Sequence, residues 1–293
     1  MISYRTMALF AMLLFLFANL SHSQYGALTK EQRILYTQKN PYDRFEDGRP
    51  RVPDDILARM KTVTIEEAWS VLRSRGYRDQ FEGGWMNLHP ERVVVGRAVT
   101  ASFVPKRPDL DETTNALGKN DGRIGAQNSW IIDTLLENDV IVVDLFGKVK
   151  NGTYAGDNLA TSIHTRSKTG MIIDGGIRDL DGIYELPDFN AFVRGVDPTG
   201  IADVTLMGIN IPIRIGPVTV MPGDVVLGRR GGVIFIPPHL AQEVVESAED
   251  TQRRDTFGKQ RLREGKYTPG EIDRRWTDEI ENDFQQWLKE RNK

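Results

Sequence analysis

Apolar residues fall at helical spacing early in the chain. Ile56, Met60 and Val63, then Ile65, Ala68, Trp69 and Leu72, recur every three or four positions, the period of an amphipathic helix. Thr64 with Glu67 makes a T-x-x-E capping box that predicts a helix start, and Gly76 predicts its end. The period then changes. Val93–Val95, Ala98–Val104 and Val140–Val143 are apolar, largely β-branched runs that predict strands, the last running into Asp144. Ser129–Glu137 (SWIIDTLLE) predicts a helix, Leu159–Lys168 another, and Met171–Ile173 the strand that follows. Alternating strands and helices imply a layered α/β core with some parallel pairing. Short β runs broken by glycine and proline come next (VTLMGINIPIRIG, VTVMPGDVVLG, GGVIFIPP) and predict an antiparallel or mixed closing portion.

Both ends read differently. Arg5, the apolar run Met7–Leu20 and the small residues around Ser21–Ser23 have the layout of a secretory signal peptide. The run is short for a bilayer span, which argues against the alternative of an uncleaved anchor. The chain has no cysteine, so neither a thiol-linked lipid nor a disulfide is available. The expectation is an exported protein, periplasmic or secreted, beginning near Gln24 and holding no stable membrane anchor after cleavage. Residues 24–52 are polar and turn-rich, an extended arm with no core of its own, and a main domain spans 53–249. In the extension 250–293, Thr268, Pro269 and Glu271 predict a capped helix start. Ile272, Trp276, Ile280, Phe284 and Leu288 then recur every four residues beside Trp287. Such a stripe packs on its own domain or clasps a neighbouring subunit.

Composition adds bounds. With 293 residues, 40% hydrophobic and 27% charged, the chain supports one sizeable core with appendages. A formal charge of -3 and no basic block point away from nucleic acid.

Chemistry concentrates in AGDNLATSIHTRSKTGMIIDGGIRDLDG, residues 155–182. Gly156-Asp157-Asn158 opens a helix whose inner face carries Leu159, Ala160 and Ile163, and first-turn amides without internal partners can hold an anion. After the strand Met171–Ile173, a turn at Asp174-Gly175-Gly176 would deliver Arg178 and Asp179 near a strand carboxyl end, where α/β sheets favour ligands. Arg178 can grip an anion in a forked geometry, and Asp179 can hold a hard cation through oxygen. A surface ion pair after a turn is the competing reading.

GDNLA at 156–160 and DGGIRD at 174–179, with VVGRAVT at 94–100, PGDVV at 222–226 and GVIFIP at 232–237, resemble the family that contains class II 4-hydroxy-4-methyl-2-oxoglutarate aldolases and RraA-type regulators of ribonuclease E. The resemblance runs from about Pro53 to Glu249. It implies an α/β/β sandwich of the swivelling-domain type, assembled as homotrimers or homohexamers with sites at subunit interfaces. Carried over by position, the amides of Gly156, Asp157, Asn158 and Leu159 would hold the carboxylate of a pyruvate-like group. Arg178 would bind its carboxylate or keto oxygen, and Asp179 would coordinate a divalent metal, Mg²⁺ or Mn²⁺. Cleaving a carbon–carbon bond beside a 2-oxo acid leaves a pyruvate enolate whose charge needs a sink, and a chelated metal is one. Retro-aldol cleavage and oxaloacetate-type decarboxylation both use it. The alternative is a non-catalytic regulatory or small-acid-binding member.

The chain departs from the family pattern at two positions, and also in its expected signal peptide and long N- and C-terminal extensions, which are unusual for the cytosolic aldolases. Gly182 stands where many of the aldolases carry an acid, with Asp181 one position earlier. Arg229 replaces a frequent aspartate. Of the other candidates, His164 reads as a structural histidine, and His89 and His239 as loop residues. Lys148 and Lys150 read as residues of a solvated loop, with lining the crevice and neutralising a substrate carboxylate as the alternative. Asp144 is a supporting acid or a turn cap. Asn151-Gly152-Thr153 is a glycosylation sequon only in a eukaryotic source.

Overall fold

The computed structural model describes residues 28–291. The expected signal peptide, residues 1–23, lies outside them. The strands are β1 (Phe81–Glu82), β2 (Met86–Asn87), β3 (Val94–Pro105), β4 (Asp139–Lys148), β5 (Met171–Ile177), β6 (Ala191–Val196), β7 (Val204–Ile209), β8 (Ile213–Ile215), β9 (Val218–Val220), β10 (Val225–Arg229) and β11 (Gly232–Ile236). The helices are α1 (Lys30–Tyr36), α2 (Asp54–Met60), α3 (Ile65–Ser74), α4 (Pro108–Asn120), α5 (Gln127–Ile132), α6 (Asp157–Ser167), α7 (Leu180–Tyr184), α8 (Ala241–Arg263), α9 (Pro269–Ile272) and α10 (Asp278–Arg291).

Strands β3, β4, β5 and β6 lie side by side and run parallel. The twelve residues of β3 serve two antiparallel partners on the other edge: Val94–Arg97 pair with β10, and Ala101–Pro105 with β7. Two separate strands were predicted here. The chain passes Gly96 without turning, because that glycine marks close approach: a Cβ there would stand 2.5 Å from the Asn138 carbonyl oxygen. Strands β11 and β1 continue the sheet beyond β10, and β2 edges β6.

Alternation along the parallel strands sorts residues onto two faces. Val99, Ile141, Val143, Ile173 and Val193 join Trp130, Ile131, Ala160, Ile163 and Ile183 from α5, α6 and α7 in one core. Ala98, Val140, Val142, Ile172 and Phe192 face Ile213, Ile215, Val218 and Val220 of the β8–β9 hairpin. Helices, sheet and hairpin make the three layers expected of an α/β/β sandwich. A third cluster packs α2, α3 and α8 against Val95, Val225, Leu227 and Ile234. The α3 capping box forms as predicted, with the Thr64 amide donating to Glu67 at 2.8 Å and the Glu67 amide to the Thr64 hydroxyl at 3.2 Å.

The ends hold more structure than their patterns suggested. The described part of the polar arm carries α1, and it inserts Arg49, 2% exposed, into the domain, where both terminal nitrogens lie 3.3 Å from the buried Asp139 carboxylate. The tail is two helices, α9 and α10, rather than one. Ile280, Phe284 and Trp287 bury against Phe257 near the end of α8, with ring centroids of Phe257 and Phe284 5.3 Å apart. The stripe therefore packs on its own chain. Helix α8 runs unbroken through position 249, where the main domain was expected to end. Among the described residues no helix is long and apolar enough to cross a membrane.

Candidate active site

The Asp174-Gly175-Gly176 segment is strand, not turn. It continues β5 to Ile177, with Gly175 and Gly176 pairing Lys148 and Gly195. Both glycines are needed for contact: a Cβ at Gly175 would meet Leu145 Cδ2 at 2.7 Å, and one at Gly176 the Val149 carbonyl at 2.9 Å. Asp174 is held by Arg194, whose Nε donates to it at 2.6 Å, and so takes no part in the site.

The chain turns only at Asp179, in the left-handed region at φ 57° and ψ 48°, a conformation aspartate tolerates. Two zippers set the entry to α6 beside this turn. The Tyr154 amide donates to the Gly176 carbonyl at 2.8 Å, and the Arg178 amide to the Ala155 carbonyl at 3.0 Å. Asn128, 4% exposed, donates from Nδ2 to the Tyr154 carbonyl at 2.6 Å and accepts the Tyr154 hydroxyl on its own carbonyl at 3.1 Å.

Gly156 consequently lies directly beneath Arg178 and Asp179. A Cβ on Gly156 would overlap Oδ2 of Asp179 and stand 3.1 Å from the Arg178 guanidinium carbon. Gly182 does the same for the other segment: a Cβ there would stand 2.8 Å from Oδ2 of Asp157. Each glycine leaves room for the other segment's carboxylate. The two acids thus border the first turn of α7, Asp179 as the residue before it and Asp157 across Gly182. Arg178 Nη1 and Asp179 Oδ2 pair at 2.8 Å, with side chains 40% and 36% exposed, so both are open to a ligand.

The amides are not all free. Asn158 N donates to Asp157 Oδ1 at 2.7 Å, whereas those of Gly156, Asp157 and Leu159 have no acceptor among the described residues. Asp157 therefore offers its side chain as well as its amide, which the sequence reading did not use. The space opposite Gly182 was the available clue.

A profile of the RraA-like family, described as Aldolase/RraA, matches residues 54–235, more than half of the chain and including both site segments. The chain belongs to the RraA-like family. A Halalkalibacterium halodurans protein provisionally named 4-hydroxy-4-methyl-2-oxoglutarate aldolase is 30% identical over 159 residues, 50% of this chain and 75% of its own. The fold matches the crystal structure of Streptomyces coelicolor RraAS2, described as an unusual member of the RNase ES inhibitor RraA family, with a TM-score of 0.62 at 24% identity, covering 75% of this chain and 99% of that one. An uncharacterised Pseudomonas syringae protein gives 0.62 at 21% identity, covering 80% and 97%.

The remaining candidates of this RraA-like chain sit elsewhere. His164 follows the start of α6 by two turns, roughly 10 Å, packs edge-on to Phe189, and burial pushes its pKa down. Lys148 lies along Gly152, and Lys150 acts on Asp197. Asp144 accepts from the Phe146 amide at 2.9 Å, a turn cap whose pKa is raised by burial and, to a lesser extent, by neighbouring Asp174. Arg229 donates to the Lys61 carbonyl beyond α2, so its departure from the family pattern ties the end of β10 to a helix end. Asp181 is exposed on α7.

Among the described residues no group of three or more histidine, cysteine, aspartate or glutamate side chains is gathered to hold a metal. The donors that Gly156 and Gly182 make room for are carboxylate oxygens, which fit a hard cation whose other ligands are water and substrate.

Proposed function

We propose that this chain is a divalent-metal-dependent lyase that cleaves a carbon–carbon bond in a 2-oxo acid, by retro-aldol cleavage or oxaloacetate-type decarboxylation. The observation that carries the reading is the reciprocal fit of Gly156 under Asp179 and Gly182 against Asp157, which gathers a guanidinium, two carboxylates and the open start of α6 at one exposed place.

Asp179, with Asp157 across Gly182, would hold Mg²⁺ or Mn²⁺. Bound there, the cation supplies a Lewis acid for the negative charge left on the pyruvate fragment when the bond breaks. The chain's own groups bind and orient. Arg178 exchanges the Asp179 carboxylate for that of the substrate, keeping a charge-assisted, two-pronged contact. The amides of Gly156 and Leu159 add donors on the same side, and the Tyr154–Asn128 lock keeps them in register with Arg178. Such positioning removes orientational freedom that the reaction would otherwise have to overcome.

The half-exposed pair at the surface suits a site completed by a neighbouring copy, so we read the working form as a homotrimer or homohexamer, and the protein as exported, periplasmic or secreted. Purified protein incubated with oxaloacetate and Mg²⁺ should form pyruvate, and EDTA or Asp179→Ala should abolish it. Turnover that survives both would overturn the reading. Oxalate binding without turnover of any 2-oxo acid tried would favour a non-catalytic small-acid-binding protein.

A further inference from the structure

At the opposite end of the sheet lies a cavity of about 410 Å³, in the range of small-molecule sites. Arm residues Tyr36–Asn40 form one wall, and Tyr77, Met221, Asp224, Pro237 and His239 form the others. Asp224 belongs to the turn before β10, and its carbonyl accepts from Ala98 N in the amino-terminal half of β3. Arg178 and Asp179 follow the carboxyl end of the parallel strand β5, so the two places are distinct.

Asp224 is 2% exposed. Its Oδ2 accepts the Met221 amide at 2.8 Å. Its Oδ1 has no hydrogen-bond partner among the described residues, and the residue lines the cavity. No salt bridge compensates it within the described chain, and burial pushes its pKa up to about 7. A buried carboxylate without a counter-ion is costly, and a cation brought by a ligand offsets that cost. The neighbouring wall is apolar and aromatic, and the Tyr77 hydroxyl is already engaged with His239 Nε2 at 3.2 Å.

We propose that this cavity is a second binding site, for a small primary amine whose protonated head pairs with Asp224 Oδ1 while its apolar body lies against Met221, Pro237 and Pro238. Tyr36 and Tyr77 also line the cavity, and aromatic rings attract cations. The arm wall lies outside the residues matched by the family profile, so the site depends on this chain's own extension.

Benzylamine is the probe, with benzyl alcohol and benzoate as neutral and anionic controls of similar shape, followed by calorimetry on the full protein. Benzylamine is expected to bind, with the controls weaker, and Asp224→Asn should weaken it about thirtyfold or more, the loss expected when one member of a buried charge pair is removed. From pH 6 to pH 8 its affinity should rise about tenfold as the carboxyl ionises. Lys39, His239, Tyr36 and Tyr77 also line the cavity, and the Asn variant, in which only their contribution persists, should lose that rise. Thr219→Trp, at an exposed wall position, should block binding without touching the carboxyl, which covers the case of an Asn variant that does not fold. Equal binding of benzyl alcohol, undiminished binding in both variants, or no binding of the amine at pH 8 would overturn the proposal. The readout is binding alone, so it stands apart from the lyase assignment.

Discussion

Gly156 and Asp179 occupy adjoining space, twenty-three positions apart in sequence, such that any side chain on the first would overlap Oδ2 of the second. Gly156 has extended backbone at φ -111° and ψ -167°, which alanine adopts without strain. Gly156→Ala therefore isolates the effect of the added carbon. The fold should survive with a loss of about 1–3 kcal/mol, typical of overpacking, read by urea unfolding. Turnover of oxaloacetate should fall about a hundredfold, the scale of a misplacement near 1 Å. Full activity in this variant would show that Asp179 need not stay where it is.

The acid opposite Gly182 gives a second test. Asp157→Asn should weaken Mn²⁺ binding while leaving the α6 start intact, because asparagine still accepts the Asn158 amide. Gly182→Asp places a second carboxylate against the first, and like charges at that separation disfavour joint ionisation. Titration of both variants with Mn²⁺, followed by paramagnetic resonance, checks whether Asp157 contributes. Unchanged affinity in Asp157→Asn would leave Asp179 as the sole protein ligand.

Several of these local elements, and the segments that form the candidate site, were legible because they are local. The capping boxes at Thr64 and Thr268 and the GDNLA and DGGIRD segments act over a few residues, so their meaning survives without the fold. The strand through Gly175 and Gly176 was not, since paired glycines read as a turn unless the neighbours that exclude a Cβ, here Leu145 and Val149, are known. Helix α4 escaped notice because it buries only Thr114 and Gly118, where a Cβ would overlap the Trp130 ring, and so has no apolar stripe. The tail kept its four-residue spacing straight through the break at Asp273–Thr277, and only the backbone, which leaves the helix there, separates α9 from α10. Asn128 gave no signal at all: its partner is a backbone carbonyl.

Arg49 should prove the main attachment of the arm. Removing it in Arg49→Ala leaves Asp139, 0% exposed, without a principal partner, a defect that costs about 3–5 kcal/mol. Unfolding in urea checks this, and Arg49→Lys should recover only part of the loss because the forked contact is gone. A change below the error of the measurement would mean that Arg97, 3.9 Å from Asp139, suffices alone.

Asp224 and Asp283 should give stability opposite slopes with pH. Burial raises the folded pKa of Asp224 to about 7 from the ordinary 3.8, so the folded state binds more protons between those values. Its contribution is present below pH 4 and is lost as pH rises toward 7, and Asp224→Asn should flatten that slope. Hydrogen bonds from Arg261 first, then Lys266 and Tyr267, hold Asp283 down to about 2. Its contribution is present above pH 4 and is lost as pH falls through 2, so hydrogen exchange should show α10 opening in acid before the sheet does.

The most direct measurement is a crystal structure of the protein grown with Mn²⁺ and oxalate, a stable mimic of the 2-oxo acid head. The expected result is Mn²⁺ on the Asp179 carboxylate, oxalate chelating it, and Arg178 turned from Asp179 onto an oxalate oxygen above Gly156. Mn²⁺ and oxalate bound elsewhere, with the Arg178–Asp179 pair still closed, would contradict the assignment.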